Sequence, residues 1–205
     1  MRFTIRHCAA VSEPKTTADH VEQVLPWLTR WSIHDERIDF VGAAYAVEGV
    51  LIDPLPLVPD ELAKLGEIDA IVLTAGSHQR SAWRYRRELE APVWAPALVR
   101  EVEEEPDVRY EDGAELPGGF LAVFTPGAGT TQHTLLRERV AICPDLLLQP
   151  EDGELGLVPD KYLYDPALAR RSVERLLELP FDVLCLTHGP VLRDDPKAAI
   201  RALVN

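Results

Sequence analysis

Apolar residues along this chain fall in short runs of about four to eight, separated by Pro, Gly and charged clusters, the punctuation of strands alternating with short helices. Residues Thr16 to Trp31 carry apolar positions compatible with a helix that Pro26 must break or kink. Ile38 to Val47 and Val50 to Asp53 read as paired strands with their turn at Glu48-Gly49. Pro54, Pro56 and Pro59 stop the second strand, and a short helix is expected from Asp60 to Leu65. Ile68 to Leu73 fits a buried strand ending at Thr74, and Ser81 starts a helix to Leu89.

The same reading continues to the end of the chain. Pro92 to Ala95 is a strand, and Pro96 to Glu105 suggests a helical turn or two. Short strands follow at Val108–Tyr110, Phe120–Phe124, His133–Leu136 and Val140–Cys143, with Arg137-Glu138-Arg139 as a hairpin connection. Asp165 caps the clearest helix, whose Leu168, Val173, Leu176 and Leu177 keep helical spacing until Pro180. A buried strand from Phe181 to Leu186 leads to Thr187-His188-Gly189-Pro190, and a last helix starts at Pro196. Strands interrupted by helices predict an α/β sandwich with helices outside, here as a single domain over residues 1–205.

Composition narrows the function classes. The chain has 205 residues, 46% hydrophobic and 27% charged, and a formal net charge of −13. An acidic protein lacks the basic field that nucleic acid or anionic lipid requires, so neither is an expected partner. No apolar run reaches the length of about 20 residues that a membrane helix needs. Met1 to His7 alternate in polarity rather than forming a signal segment, which makes the cytoplasm the expected compartment. Arg80, Arg84, Arg86 and Arg87 lie close together, answered by Glu88 and Glu90, and read as a solvated helix face. Cys8, Cys143 and Cys185 form no CxxC pair, and the last two sit in apolar stretches where a buried reduced thiol is expected.

Four landmarks then occur in order. They are Val50-Leu51-Ile52-Asp53-Pro54, Ile71-Val72-Leu73-Thr74, Val123-Phe124-Thr125-Pro126-Gly127, and the pair Ile142-Cys143-Pro144-Asp145 with Leu186-Thr187-His188-Gly189. Together they resemble the metallo-β-lactamase superfamily over roughly residues 40 to 190. The resemblance implies a four-layer αββα sandwich with the active cleft at one edge of the two central sheets.

Most of the metal ligands that the resemblance implies are replaced. Registered on the family's HxHxDH loop from Thr74, Ala75 and Ser77 stand at the first two ligand positions, Gln79 at that of the aspartate and Arg80 at that of the last histidine. Ala128 stands where a ligand histidine follows Pro126-Gly127. Only Asp145 and His188 are retained, so the metal site is expected to be vestigial and the cleft lined by Ala75, Ser77, Gln79, Arg80 and Ala128. His78 is one residue out of register and His133 lies five residues after Ala128. A loop shift would recruit either one as a ligand, but an unshifted loop, the expected case, turns His78 away and leaves His133 at the start of a strand. Arg80 is expected to stand in for the lost metal by pairing with Asp145.

Other groupings are poor candidates. Ser77 and His78 are adjacent in sequence and do not present a nucleophile–base pair. Gly127-Ala128-Gly129-Thr130-Thr131 lacks the lysine of a phosphate loop. Asp53 suits a supporting role at a strand end better than a catalytic one.

Three functions follow, of which the third is a purely structural subunit of a homo-oligomer, marked by a large apolar surface. In the first, a non-catalytic protein without cofactor binds an unknown small molecule or partner protein at the old cleft, with a homo-oligomer left open. In the second, a divergent hydrolase of ester, thioester, lactone or phosphoester bonds uses one zinc or other divalent ion near Asp145 and His188.

Overall fold

The computed structural model describes residues 13–100 and 102–204. Cys8 and the alternating segment Met1 to His7 lie outside the described residues.

Two β-sheets form the centre. The first contains β1 (Glu22–Leu25), β2 (Leu28–Asp35), β3 (Phe40–Val47), β4 (Val50–Ile52), β5 (Ala70–Val72), β6 (Val93–Pro96) and β7 (Val108–Tyr110), hydrogen-bonded in that order. The second contains β8 (Glu115–Leu116), β9 (Phe120–Phe124), β10 (His133–Arg137), β11 (Val140–Cys143), β14 (Val183–Leu186) and β15 (Val191–Leu192). A small pair, β12 (Leu147–Leu148) and β13 (Gly156–Leu157), lies between β11 and β14 in sequence. The helices are α1 (Pro59–Lys64), α2 (Ala82–Leu89), α3 (Pro166–Glu178) and α4 (Pro196–Val204).

Strand alternation sorts the side chains into three cores. Tyr45, Ile52 and Val72 point inward from the first sheet and meet Phe120, Leu135 and Ile142 of the second. Their neighbours Ala44, Leu51 and Ile71 point outward against Ala82, Trp83 and Tyr85 of α2. On the far side, Leu136, Cys143 and Leu184 pack on Ala169, Val173 and Leu176 of α3 and Ile200 of α4. Both sheets are therefore covered on both faces, which explains why β3, β4 and β11 read as nearly continuous apolar runs. The architecture is the expected αββα sandwich.

Two local expectations are corrected. The segment read as a Pro26-kinked helix is a hairpin: β1 and β2 pair antiparallel around Pro26-Trp27. Trp31 and Ile33 are buried two residues apart on one face of β2 and Leu28 on the other, and Trp31 Nε1 donates to the Leu55 carbonyl at 3.0 Å. The helical turns expected near Pro96 to Glu105 are absent among the described residues there, which form turns and irregular chain after β6.

Elsewhere the boundaries fall close to those read from the sequence. Asp165 caps α3, its Oδ1 accepting from the Leu168 amide at 2.9 Å. The arginines of α2 are engaged by acids, Arg84 with Glu13 and Glu88, Arg86 with Glu104 and Asp107, Arg87 with Glu104. Cys143 and Cys185 are free and buried, and burial pushes both thiols up to about 12. No helix among the described residues is long and apolar enough to cross a membrane.

Parallel pairing positions the site. β4 runs parallel to β5 in one sheet, and β11 runs parallel to β14 in the other, with Cys143 opposite Leu186. Asp53 and Thr74 follow the ends of the first pair, and Asp145 and His188 lie two residues beyond that last register partner in the second. All four emerge at the same edge of the sandwich.

Candidate metal centre

Thr74 lies two residues past β5, in the loop that leads to α2. Its amide donates to Asp53 Oδ1 at 2.8 Å, and its hydroxyl donates to Asp53 Oδ2 at 2.5 Å. A single turn of 3-10 helix over Gly76–His78 then swings the His78 ring inward, where it is 3% exposed. His78 is therefore turned toward the cleft, contrary to the arrangement expected of an unshifted loop. The tight turn changes the direction of the side chain without any insertion in the sequence.

His78 sits between two carboxylates. Its Nδ1 lies 2.8 Å from Asp53 Oδ2 and 3.2 Å from Thr74 Oγ1, and its Nε2 lies 3.1 Å from Asp145 Oδ1. His188 mirrors this: Nδ1 is 3.0 Å from the Val41 carbonyl and Nε2 is 3.1 Å from the same Asp145 Oδ1. The two imidazoles stand edge to face with centroids 5.8 Å apart. Ser77, exposed to solvent, donates to Asp145 Oδ2 at 3.3 Å. The ligand atoms offered by His78, Asp145 and His188 all lie within 4.8 Å of one another.

The hydrogen-bonding capacity of these groups sets what can occupy their centre. A neutral imidazole has one N–H. Nδ1–H is committed to Asp53 in His78 and to Val41 in His188, so both Nε2 atoms present lone pairs to a carboxylate oxygen. Three lone-pair donors facing one another require a cation among them, either a metal ion or added protons. Metal-bound histidines show this arrangement, with the outer N–H given to a carboxylate or a backbone carbonyl. Two imidazoles and one carboxylate suit zinc, iron or manganese and leave coordination positions open. The residues present therefore fit a single divalent ion.

Protons can also balance the cluster. Burial opposes charge on His78, but Asp145 and Asp53 outweigh it and raise its pKa from 6.5 to about 9. Burial would raise the pKa of Asp145, yet the charge of His78 and hydrogen bonds from both histidines hold it well below its usual range.

The other sequence candidates are placed differently. Ala75 is buried and Ala128 half-buried, with the Ala128 carbonyl accepting from the Tyr164 amide at 3.2 Å. Gln79 turns into its own loop, donating to the Gly76 carbonyl and accepting from Trp83 Nε1 and the Glu103 amide. Arg80 does not pair with Asp145, the pairing expected from sequence. Its left-handed backbone, φ 41°, carries the side chain beneath the site, where Nη1 donates to the carbonyls of Ala43 at 2.8 Å and Asp53 at 3.0 Å. Burial lowers its pKa, with Asp53, Asp145 and Asp35 opposing. His133 stands apart from the cluster, packed against Tyr110 and Phe124, its Nδ1 on the Thr131 carbonyl. Sequence reasoning missed the Val41 carbonyl, because a backbone group leaves no mark in residue types.

A sequence profile described as the metallo-β-lactamase superfamily matches residues 23–201. The chain belongs to the metallo-β-lactamase superfamily. Solved structures share the fold at low identity. An archaeal superfamily protein from Sulfolobus tokodaii aligns with 17% identity and a TM-score of 0.66, over 85% of this chain and 84% of that one. A metallo-β-lactamase from Pontibacter korlensis aligns with 15% identity and a TM-score of 0.70, over 90% and 98%. The protein TTHA1623, solved in a di-iron-bound form, aligns with 21% identity and a TM-score of 0.58, over 91% and 98%. No curated protein matches the sequence.

Proposed function

We propose that this chain is a metal-dependent hydrolase of ester-type bonds, with one divalent ion held by His78, Asp145 and His188. The observation that carries the reading is the convergence of two imidazole Nε2 atoms on one Asp145 oxygen, with each Nδ1 held from behind. The diversion of Gln79 and Arg80 to other hydrogen bonds favours one ion over two. A divalent ion there would supply Lewis-acid activation of water and of the scissile carbonyl or phosphoryl group. The chain's own contribution is orientation. Asp53 and Thr74 fix the tautomer of His78, Val41 fixes that of His188, and Ser77 occupies Asp145 Oδ2 so that Oδ1 faces the histidines. Ser77 is also an exposed polar side chain beside Asp145, accessible to a substrate.

Elemental analysis of untagged protein, with calorimetric titration of zinc, manganese and ferrous iron, tests the reading. It predicts about one ion per chain, lost in His78→Ala and kept in His133→Ala, and ester or lactone turnover that follows metal content. Wild-type protein without stoichiometric metal would remove the hydrolase.

A second reading rests on the position of His78 between the carboxylates of Asp53 and Asp145, which favour its charged form. Here the imidazolium stands where the family holds a metal, and the protein is a non-catalytic binder of a small molecule or partner. Metal-free protein whose stability and structure are indifferent to added ions would favour it.

A further inference from the structure

Arg80 is buried, and its side chain makes no hydrogen bond to Asp145. One nitrogen, Nη1, donates to two carbonyls, those of Ala43 and Asp53. Each carbonyl belongs to the support of a different histidine.

On one side, the Asp53 carboxylate holds the His78 Nδ1 at 2.8 Å. Asp53 has a left-handed backbone, φ 47°, and its amide is bonded to the Val72 carbonyl. Such a conformation persists only where the surroundings fix it. Arg80 Nη1 on the Asp53 carbonyl, together with the Ser81 amide on the Pro54 carbonyl at 3.0 Å, supplies that restraint. On the other side, the Ala43 amide donates to the Thr187 carbonyl at 2.8 Å, and the Val41 carbonyl, two residues earlier on β3, takes the His188 Nδ1. The peptide groups of residues 41–43 are thus the cradle of Thr187-His188. Gly42 in its middle lies close enough that a Cβ would come within 3.9 Å of Arg80 Nη2.

We propose that Arg80 is the positioning residue that couples the two imidazoles, fixing the Asp53 and Ala43 peptides with one donor so that both Nε2 atoms converge on Asp145. The inference rests on the reading of this cluster as a metal centre, but it concerns how the rings are held. A guanidinium suits the task because it remains charged while buried and its fork directs donors in one plane. A histidine at this position would be too short to span both carbonyls and reach a metal as well.

The test compares wild type with Arg80→Met, which keeps buried volume but removes the donors, and Arg80→Lys, which restores a cationic donor. Val93→Ala, in the core under α2, serves as a control for general destabilisation. Cobalt(II) and zinc dissociation constants are measured for all four, with imidazole N–H proton spectra of the metal-free proteins. Arg80→Met should weaken metal binding by about 10–100-fold, as loss of outer partners does. Arg80→Lys should recover part of that loss, and Val93→Ala should leave affinity unchanged at a comparable melting temperature. In the metal-free spectra, protected N–H signals of both His78 and His188 should broaden together in Arg80→Met. Unchanged affinity in Arg80→Met, an equal loss in Val93→Ala, or loss of only one N–H signal would overturn the coupling. If wild type binds no metal, the hydrolase reading fails, and the paired N–H signals alone decide this one. If Arg80→Met does not fold, Arg80→Gln, whose amide is too short to span both carbonyls, is judged by the same outcomes.

Discussion

His78 Nδ1 lies 2.8 Å from Asp53 Oδ2, and this contact converts a displaced histidine into a candidate ligand. The ring is aimed from behind, by a carboxylate that two bonds from Thr74 already hold in place. Direction toward Asp145 follows from that contact, because an imidazole fixed at one nitrogen projects the other across the ring.

Asp53→Asn tests this relationship. The amide can keep the Thr74 backbone bond through its oxygen, but it loses the negative charge opposite His78 Nδ1. Metal affinity should fall by about 10–100-fold, measured by competition with a chromophoric chelator. Affinity equal to wild type would mean that Thr74 Oγ1, 3.2 Å away, suffices to hold the ring.

The pH dependence of the metal-free protein has a defined sign. The pKa of His78 is raised from 6.5 to about 9 in the folded state. Its contribution to stability is therefore complete below 6.5 and is lost as pH rises through about 9. Asp145 is depressed, so its contribution is present above its ordinary 3.8 and is lost as pH falls toward its folded value. Urea unfolding without metal should show highest stability between these limits, with a decline from His78 of about 3 kcal/mol at most from pH 6 to pH 10, to which the raised thiols of Cys143 and Cys185 add above about pH 8. Metal ions compete with the His78 proton, so added zinc should offset the alkaline loss and bind more tightly as pH rises. Flat stability across that alkaline range would mean that His78 carries no proton between the carboxylates.

Much of this fold was legible because the alternation of apolar residues reports burial directly. β3, β4, β5, β9, β10, β11 and α3 lie within a few residues of their sequence expectation. The β1–β2 hairpin was not legible, since Val24, Leu28 and Trp31 satisfy helical spacing as well as they satisfy two short strands around Pro26. Asp145 and His188 were singled out by the resemblance to the family, and each lies two residues past a strand. The inward turn of His78 was not, because a 3-10 turn rotates side chains by an amount that residue identity does not encode. Arg80 was recognised as the unusual residue of the loop, but its bonds go to carbonyls, which are invisible in a sequence.

Gly127, in the loop after β9, is held where no side chain fits. A Cβ there would lie 2.4 Å from Ala169 Cα, because α3 passes directly over the loop. The Gly127 carbonyl accepts from the Tyr164 and Asp165 amides, and Ser172 Oγ donates to the Pro126 carbonyl, so the loop cannot move alone. Gly127→Ala should cost about 1–3 kcal/mol through displacement of α3, read by chemical denaturation. A loss within experimental error would show that α3 can shift freely over this loop.

The choice between a metal and a proton at the centre can be made by a double-mutant cycle on His78 and Asp145. In metal-free protein the two are 3.1 Å apart and almost wholly withdrawn from water on the His78 side. If an imidazolium and a carboxylate are paired there, His78→Gln leaves Asp145 with His188 and the Ser77 hydroxyl, and Asp145→Asn leaves the His78 charge with Asp53 as its carboxylate partner. Each single variant then loses the same interaction, so the double variant should lose less than their sum, by about 0.5–3 kcal/mol. Arg80 and Asp145 share no hydrogen bond among the described residues, and their cycle should show a smaller coupling. Repeating the first cycle in saturating zinc separates the two cations. With an ion bound, either single variant removes a ligand and already forfeits most of the metal's stabilisation, so the coupling should grow with zinc concentration. A coupling that is present without metal and unchanged by zinc would assign the centre to the proton, and with it the non-catalytic reading of the protein.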